Sequence, residues 1–365
     1  MSPKQLIRYE PDYATRPGEV LESYLSARGM TKAELASRCG RPMKTISEII
    51  HGKAAITAET ALQLERVLGV PASLWQNLEA NYRLRLAERG ETGSLASHAP
   101  WARKFPIKEL VERGCFDEAS NDADLVKKVM KFFGVGTVSG WNASFGEMEL
   151  LYRRSPAFTA ARENMTTWIR LGEIEGGALE CAPFDRARFK SVLLECRGLT
   201  THSFPDVQAK LVELCASAGV AVVFVPELPK THVSGIARWL TKDKALIQLS
   251  LRYKTADHLW FTFFHEAGHI LLHGKKTIFI DEKDGARSDV ESEANRFASD
   301  LLVPSAALSH FVRARDFSAI SVKRFAAKQG IAPGIVVGRL QHDKVIPFSH
   351  LNGLKEGLTW AVDSG

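Results

Sequence analysis

Through the first ninety residues, apolar side chains recur three and four positions apart, the period of helices that bury one face. Val20, Leu21, Tyr24 and Leu25 form one stripe between Pro17 and Gly29, and Leu35 and Ala36 form a second between Thr31 and Gly40. Ile46, Ile49 and Ile50 follow between Pro42 and Gly52, then Ala61, Leu64, Val67 and Leu68 after Thr57, then Leu74, Trp75, Leu78 and Tyr82 after Pro71. Each stripe opens at a capping residue or proline, and the spacing predicts five short helices; Thr31-x-x-Glu34 reads as a capping box. Glu88 to Pro106 is polar and carries Gly90, Gly93, Ser94, Ser97 and Pro100, the composition of a linker. Short amphipathic runs then continue to about residue 200, broken by Gly114, Gly134, Gly136 and Gly140, with Trp141 and Trp168 expected in a core. Near residue 220 the period changes. Ala221 to Val225 is continuously apolar, a strand by composition, and the alternating stretches 234–240 and 244–251 flank Thr241-Lys242-Asp243 as a hairpin. Two helical patterns follow, one rich in aromatic residues around 259–272 and one from Ser288 to Val303 that stops at Pro304. The fold class expected is mainly α with a small β-sheet. The domains expected are a five-helix unit over 1–90, a linker and helical spacer over 91–204, and an α+β domain over 205–365.

Composition narrows this only a little. At 365 residues, with 45% hydrophobic and 25% charged side chains, the chain fits a soluble protein of two or three domains. No apolar run reaches eighteen residues and no apolar signal core follows Met1, so a cytoplasmic protein without membrane contact is expected. Cys39, Cys115, Cys181, Cys196 and Cys215 are scattered without a Cys-x-x-Cys, which suits reduced thiols rather than a disulfide frame or a cysteine metal site. The net charge of +6 permits nucleic-acid contact, but where the basic residues cluster matters more.

They cluster in the first domain. Between residues 31 and 53 five basic side chains stand against two acids. Ala36, Gly40 and Ile46 follow the steric recipe of a helix-turn-helix: a small residue under the crossing, a glycine for the positive-φ turn, a β-branched plug between the helices. With Ala36, Ile46 and Ile49 inward, Lys44, Thr45, Ser47 and Glu48 point outward on the third helix, toward base edges, while Thr31, Arg38, Arg41 and Lys53 suit phosphates. Apolar surface beyond the needs of three helices suggests a homodimer, as a two-fold operator on double-stranded DNA requires. The same spacing recurs at Ala326, Gly330 and Val336, with Lys323, Arg324, Lys328 and Arg339 nearby; there it reads as helical packing, with a second DNA reader as the alternative.

The chemistry lies in His265-Glu266-x-x-His269. On a helix the two imidazoles share one face, one turn apart, where they can hold one Zn²⁺, and Glu266 can take a proton from its water. His273 continues the series but lies about 12 Å along the axis from His265, too far to share the ion. A third ligand is expected from the following helix. At about 100° per residue, Glu291 falls about 50° from the centre of its apolar face and Glu293 about 110°, so Glu291 is the better ligand. Asn295, one turn on, is placed to bond a ligating imidazole, and Glu293 is expected to face water or Arg296. His232, Tyr253 and His350 are candidate oxyanion donors.

Two resemblances add to this. Pro17-Gly18-Glu19-Val20-Leu21, Gly29 to Ala36, Ile46 to Lys53 and Pro71 to Leu78 resemble the HigA antitoxins of the Cro/cI (XRE) helix-turn-helix superfamily. The likeness implies sequence-specific, often autoregulatory operator binding as a dimer, and a partner ribonuclease toxin. Phe261-Thr262-x₂-His265-Glu266-x-Gly268-His269-x-Leu271-Leu272-His273, followed by Glu291-x-Glu293-Ala294-Asn295-x-Phe297-Ala298, resembles the ImmA/IrrE metallopeptidases. That likeness implies zinc, endopeptidase chemistry and a repressor-type protein substrate. Together they predict a DNA-binding regulator carrying a zinc endopeptidase domain; the alternative is an antitoxin or repressor whose second domain senses a ligand or partner without proteolysis.

Overall fold

The structure is a computed structural model that describes residues 15–152, 162–273 and 286–360. The chain divides into two compact units, one of residues 1–100 and 119–127, the other of 101–118 and 128–365.

In the first unit the five expected helices form: α1 Pro17–Ala27, α2 Lys32–Cys39, α3 Met43–Ile50, α4 Ala58–Leu68 and α5 Ala72–Ala96. Their ends follow from side chains. Thr31 Oγ1 accepts the Glu34 amide at 3.1 Å and starts α2, and Gly40, at φ 63°, ends it in the left-handed conformation that the turn demands. Thr57 Oγ1 accepts the Thr60 amide at 3.2 Å at the head of α4. Leu21, Leu35, Ile46, Ile49, Leu64 and Trp75 close a core from which solvent is excluded. Gly18 lies so close to the end of α3 that a Cβ would stand 2.2 Å from the Ile50 carbonyl oxygen. The buried Glu79 on α5 accepts the Ile56 amide at 3.0 Å, and Gln76 Nε2 donates to the Ile56 carbonyl at 2.8 Å, so α5 pins the α3–α4 connection.

One expectation fails here. The linker read from residue 88 is helical to Ala96, straight through Gly90 and Gly93. Each glycine costs about 1 kcal/mol against alanine, but a helix already nucleated needs only to propagate. Arg85 and Glu88 pair at 3.1 Å along its surface.

The second unit takes in the helices that the pattern suggested as a spacer. α6 Ala99–Ala102 and α8 Asp122–Phe133 straddle the division of the chain, and α7 Ile107–Glu112, α9 Val138–Tyr152, α10 Arg162–Ala178, α11 Arg186–Leu199 and α12 Phe204–Ala216 lie within the second unit. Trp101, Phe105, Phe133, Trp141 and Phe145 pack ring on ring, with centroids 5.1 Å apart for Trp101–Phe105 and 5.2 Å for Phe105–Trp141. The sheet then forms from β1 Val220–Phe224, β2 Gly235–Thr241 and β3 Lys244–Leu249, in the order β1-β3-β2. β1 runs parallel to β3 and β2 antiparallel to it, so among the described residues β2 keeps one edge unpaired. α10 lies against one face: Gly172 meets Gln248, Gly176 meets Leu246, and Gln248 Nε2 donates to the Trp168 carbonyl at 2.7 Å. The opposite face, with Ala245, Ile247 and Leu249, joins the core built by α12, α13 Ala256–Leu272, α14 Ala286–Leu302, α15 Ser305–Arg313, α16 Ala319–Gln329 and α17 Pro333–His342. α10 therefore packs on the sheet, and Phe189, Val192, Leu193 and Cys196 of α11 join the same core, so neither is only a spacer.

Because Ile46 is fully buried at the α2–α3 angle, Ile46→Ala is expected to destabilise the first unit by about 2–5 kcal/mol. Chemical denaturation of the full chain, followed by the fluorescence of the equally buried Trp75, checks it.

Candidate functional site

α13 carries His265, Glu266 and His269. Leu259, Trp260, Phe263, Phe264, Ala267, Ile270 and Leu271 bury most of its circumference. What remains partly open is a stripe of Phe261, Thr262, His265 and His269, with His258 exposed at its head. Two glycines bring neighbours up to this stripe. At Gly235, the first residue of β2, a Cβ would meet Thr262 at 2.6 Å and Glu266 Cγ at 3.2 Å. At Gly268 it would meet Phe297 at 3.0 Å and the Ala294 Cα at 3.4 Å. Gly268 and the buried Ala294 thus let α13 and α14 cross closely, which carries Glu291 over the two histidines.

There the side chains converge. His265 Nε2 and His269 Nε2 lie 3.0 Å apart. Glu291 Oε2 is 3.3 Å from the first, and its Oε1 is 3.7 Å from the second. One ligand atom from each lies within 4.8 Å of the others. A tetrahedral ion with bonds of about 2.0–2.1 Å separates its ligands by about 3.3 Å, so two imidazoles and a carboxylate at these spacings fit Zn²⁺. Glu291, expected over Glu293, is the carboxylate brought to the histidines. The His265 and His269 imidazoles beside it hold its carboxyl far below the usual range, against the opposing effect of burial. Burial alone would lower His265, but Glu291 and Glu266 outweigh it and leave its pKa raised. Asn295 acts in the same sense, without a hydrogen bond to Nδ1 of His265, which is buried and unpartnered. Glu266 is buried behind this pair, and burial raises its pKa against the pull of His265, His269 and the Ala237 backbone amide.

Two expectations change. Glu293 does not face Arg296 or water alone: its Oε2 is 3.2 Å from His273 Nε2. His273 in turn places Nδ1 3.1 Å from His269 Nδ1. The i,i+4 step from His269 to His273 is the sequence signal for this contact: it is too long a series for three ligands to one ion but right for a neighbour behind the second ligand. Of the candidate oxyanion donors, Tyr253 stacks on His258 with centroids 4.3 Å apart, seven residues or about 10 Å along the helix from His265. His232 sits at φ 43° with its carbonyl accepting from Arg252, and the His350 carbonyl accepts from Gln341 at 2.8 Å.

On the first unit, Lys44 is exposed and only loosely paired with Glu48, at 3.8 Å. Thr45, Ser47 and Glu48 are half-buried on the same helix, and Lys53 is exposed just beyond it. Thr31 spends its hydroxyl on the cap of α2, and Arg38 pairs with Glu34 at 2.5 Å. Arg41 is turned inward: Nε donates to Gln63 at 2.8 Å and Nη2 lies 2.7 Å from Glu59. It anchors α4 to the turn and does not stand free for phosphate. Arg162 sits over the Trp141 ring at 4.8 Å, while Arg153 and Arg154 lie outside the described residues.

The second helix-turn-helix spacing folds as its sterics dictate. Gly330 has φ 66°, and Ala326 and Val336 are fully buried. Yet α17 buries Gly334, Ile335, Val336, Val337, Leu340 and Gln341, leaving no outward reading face. It is a packing joint.

A helix-turn-helix with an outward third helix, joined to a domain in which a His-Glu-x-x-His helix is crossed by a glutamate-bearing one, defines a DNA-binding regulator with a peptidase-type domain. Comparison with known proteins agrees. Residues 21–75 match the helix-turn-helix family and residues 215–340 match the IrrE N-terminal-like domain of the M78 peptidases; the chain belongs to the helix-turn-helix family and carries the second domain at its C-terminal side. It is 39% identical over 77 residues to virulence-associated protein I of Dichelobacter nodosus, covering 21% of this chain and 71% of that one. It is 32% identical over 74 residues to the HTH-type transcriptional regulator YddM of Escherichia coli (strain K12), covering 20% and 79%. Among solved structures, an addiction module antidote protein of a HigA family from Coxiella burnetii aligns at 29% identity and a TM-score of 0.21, over 22% of this chain and 90% of that one. No helix among the described residues is long and apolar enough to cross a membrane.

If the Gly268–Ala294 crossing positions Glu291, Gly268→Val should weaken zinc binding by about tenfold or more although all three ligands remain, and Gly268→Ala by less. Competition with a chromophoric chelator measures both.

Proposed function

We propose that this protein is a transcriptional regulator that binds operator DNA as a homodimer through residues 1–90 and cleaves a repressor-type protein with a zinc endopeptidase domain over 205–365. The observation that carries the second half is the convergence of His265, His269 and Glu291 beside the buried Glu266. Those three residues would hold the metal. When bound, Zn²⁺ polarises a carbonyl and makes water acidic near neutral pH. Glu266, desolvated and on the same face, accepts the proton of the attacking water and returns it to the leaving amide nitrogen. Among the described residues the unpaired edge of β2 runs past Glu266 at Gly235 and Ala237, whose amide faces that carboxylate, and the remaining backbone groups of the edge are suited to an extended substrate added as a strand.

For the first half, Lys44, Thr45, Ser47 and Glu48 form the base-reading set, with Thr31, Arg38 and Lys53 toward phosphates. Leu62, Leu74 and Leu84 are exposed on α4 and α5, apolar surface suited to a dimer partner.

Incubating the full chain with zinc and candidate repressors, itself included, tests the peptidase on a gel. Wild type should give fragments, and Glu266→Gln should hold zinc without giving any. Zinc retained with no cleavage by wild type favours a sensing domain. No zinc bound, or no loss of zinc on changing His265 and His269, overturns the metal centre. On DNA, Lys44→Ala should relax base preference, whereas Lys53→Ala should weaken all sequences alike and reduce the salt slope by about one. Binding titrations over a range of salt on matched and scrambled operators separate the two.

A further inference from the structure

We propose that Glu293 and His273 form a hydrogen-bonded relay that holds His269 in the tautomer and orientation of a metal ligand, making both of them positioning residues of the centre. The proposal rests on the metal-centre reading above. Its argument is one of proton bookkeeping along three contacts. A carboxylate only accepts hydrogen bonds, and a neutral imidazole has one N–H and one bare nitrogen. Glu293 Oε2 lies 3.2 Å from His273 Nε2, so that nitrogen carries the hydrogen. Nδ1 of His273 is then the bare one. It lies 3.1 Å from His269 Nδ1, which must therefore donate. With its hydrogen on Nδ1, His269 presents a bare Nε2, the atom 3.0 Å from His265 Nε2 and 3.7 Å from Glu291 Oε1. One carboxylate at the surface thus settles the hydrogen positions of two rings and leaves a lone pair where the metal needs one.

Placement on the chain supports this. His273 is the C-terminal cap of α13, one turn beyond His269, and its amide bonds the His269 carbonyl at 3.1 Å, which fixes its ring beneath the ligand. The His273 side chain is only 7% exposed, whereas that of Glu293 is 58% exposed. A buried imidazole without partners carries a desolvation cost, and the relay supplies both of its nitrogens with one. Glu291 and Glu293 thereby divide their work on one helix, the first facing the metal position directly and the second acting through two imidazoles. Nδ1 of His265 is buried without a hydrogen-bond partner, and no second imidazole is relayed to it as His273 is to His269, although Asn295 acts on its ring. His269 is thus the ligand whose geometry depends on the relay.

The test measures zinc affinity of the full chain by chelator competition, with circular dichroism to check folding. His273→Phe fills the ring's volume and removes both nitrogens; it should weaken zinc about ten- to a hundredfold, the scale of losing a ligand's outer partner. His273→Asn, which keeps an acceptor near the Nδ1 position, should recover part of the loss. Glu293→Gln should weaken zinc severalfold in the wild-type background and add nothing to His273→Phe, because Glu293 acts only through that ring. Should His273→Phe fail to fold, the exposed Glu293→Gln still tests the relay alone: it must weaken zinc, and nitrogen-detected NMR of the zinc-bound wild type must show His269 protonated on Nδ1. Tight zinc binding by wild type that neither substitution changes, or an equal loss from Glu293→Gln in both backgrounds, overturns the relay and leaves the metal centre standing. No zinc binding by wild type overturns both.

Discussion

The crossing of α13 and α14 at Gly268 and Ala294 is the constraint on which the second unit's chemistry depends. Two residues without bulk let the helix backbones approach closely enough for Glu291 to reach both His265 and His269. A longer side chain at either point would part the helices, and a displacement of about an ångström is of the order that catalytic and metal sites do not tolerate. The apolar shell around α13 serves the same end. Trp260, Phe263 and Phe264 are fully buried, so the helix cannot rotate to relieve a poor fit, and the cleft stripe is what remains when its other faces have been packed. Gly235 repeats the device on the other side, where the edge strand must come down to Glu266.

Much of this is legible in the amino-acid sequence. The five N-terminal helices, the hairpin and the two motif helices follow from periodicity, and Gly40, Thr31 and Ile46 do in the structure what their residue types suit. Helical angle alone separated Glu291 from Glu293. What was not legible came from outside the local window. The glycines at 90 and 93 look like a linker unless it is known that α5 already runs into them. α10 gave no sign that Gly172 and Gly176 exist to receive Gln248 and Leu246 of β3, because that need belongs to the partner surface. Charge alone points Arg41 to phosphate, yet Glu59 and Gln63, some twenty residues on, claim it.

The repeated Ala-x₃-Gly-x₅-branched spacing shows how far a steric recipe reaches. At residues 36–46 and at 326–336 it gives the same joint, with a left-handed glycine and two buried flanking residues. Only the outward face of the following helix differs. α3 turns Lys44, Thr45 and Ser47 away from its core, whereas α17 is apolar or buried nearly all round. Spacing therefore identifies how two helices meet, and the chemistry of the remaining face decides whether nucleic acid has anything to read.

The unpaired edge of β2 has a further consequence. A row of open backbone amides and carbonyls that can accept one extended chain can accept others, and such edges seed aggregation. The strand is only seven residues long, and its register with β3 slips between Trp239 and Thr241. Arg238 is held by Glu173 in mid-strand, and Lys242 stands just past its end. Shortness, an irregular register and charge are means by which natural sheets stop strands from stacking without limit. An edge blunted in this way can take a short segment but offers little to a long one, so the same features that blunt this edge against stacking on its like limit the stretch of chain it can hold.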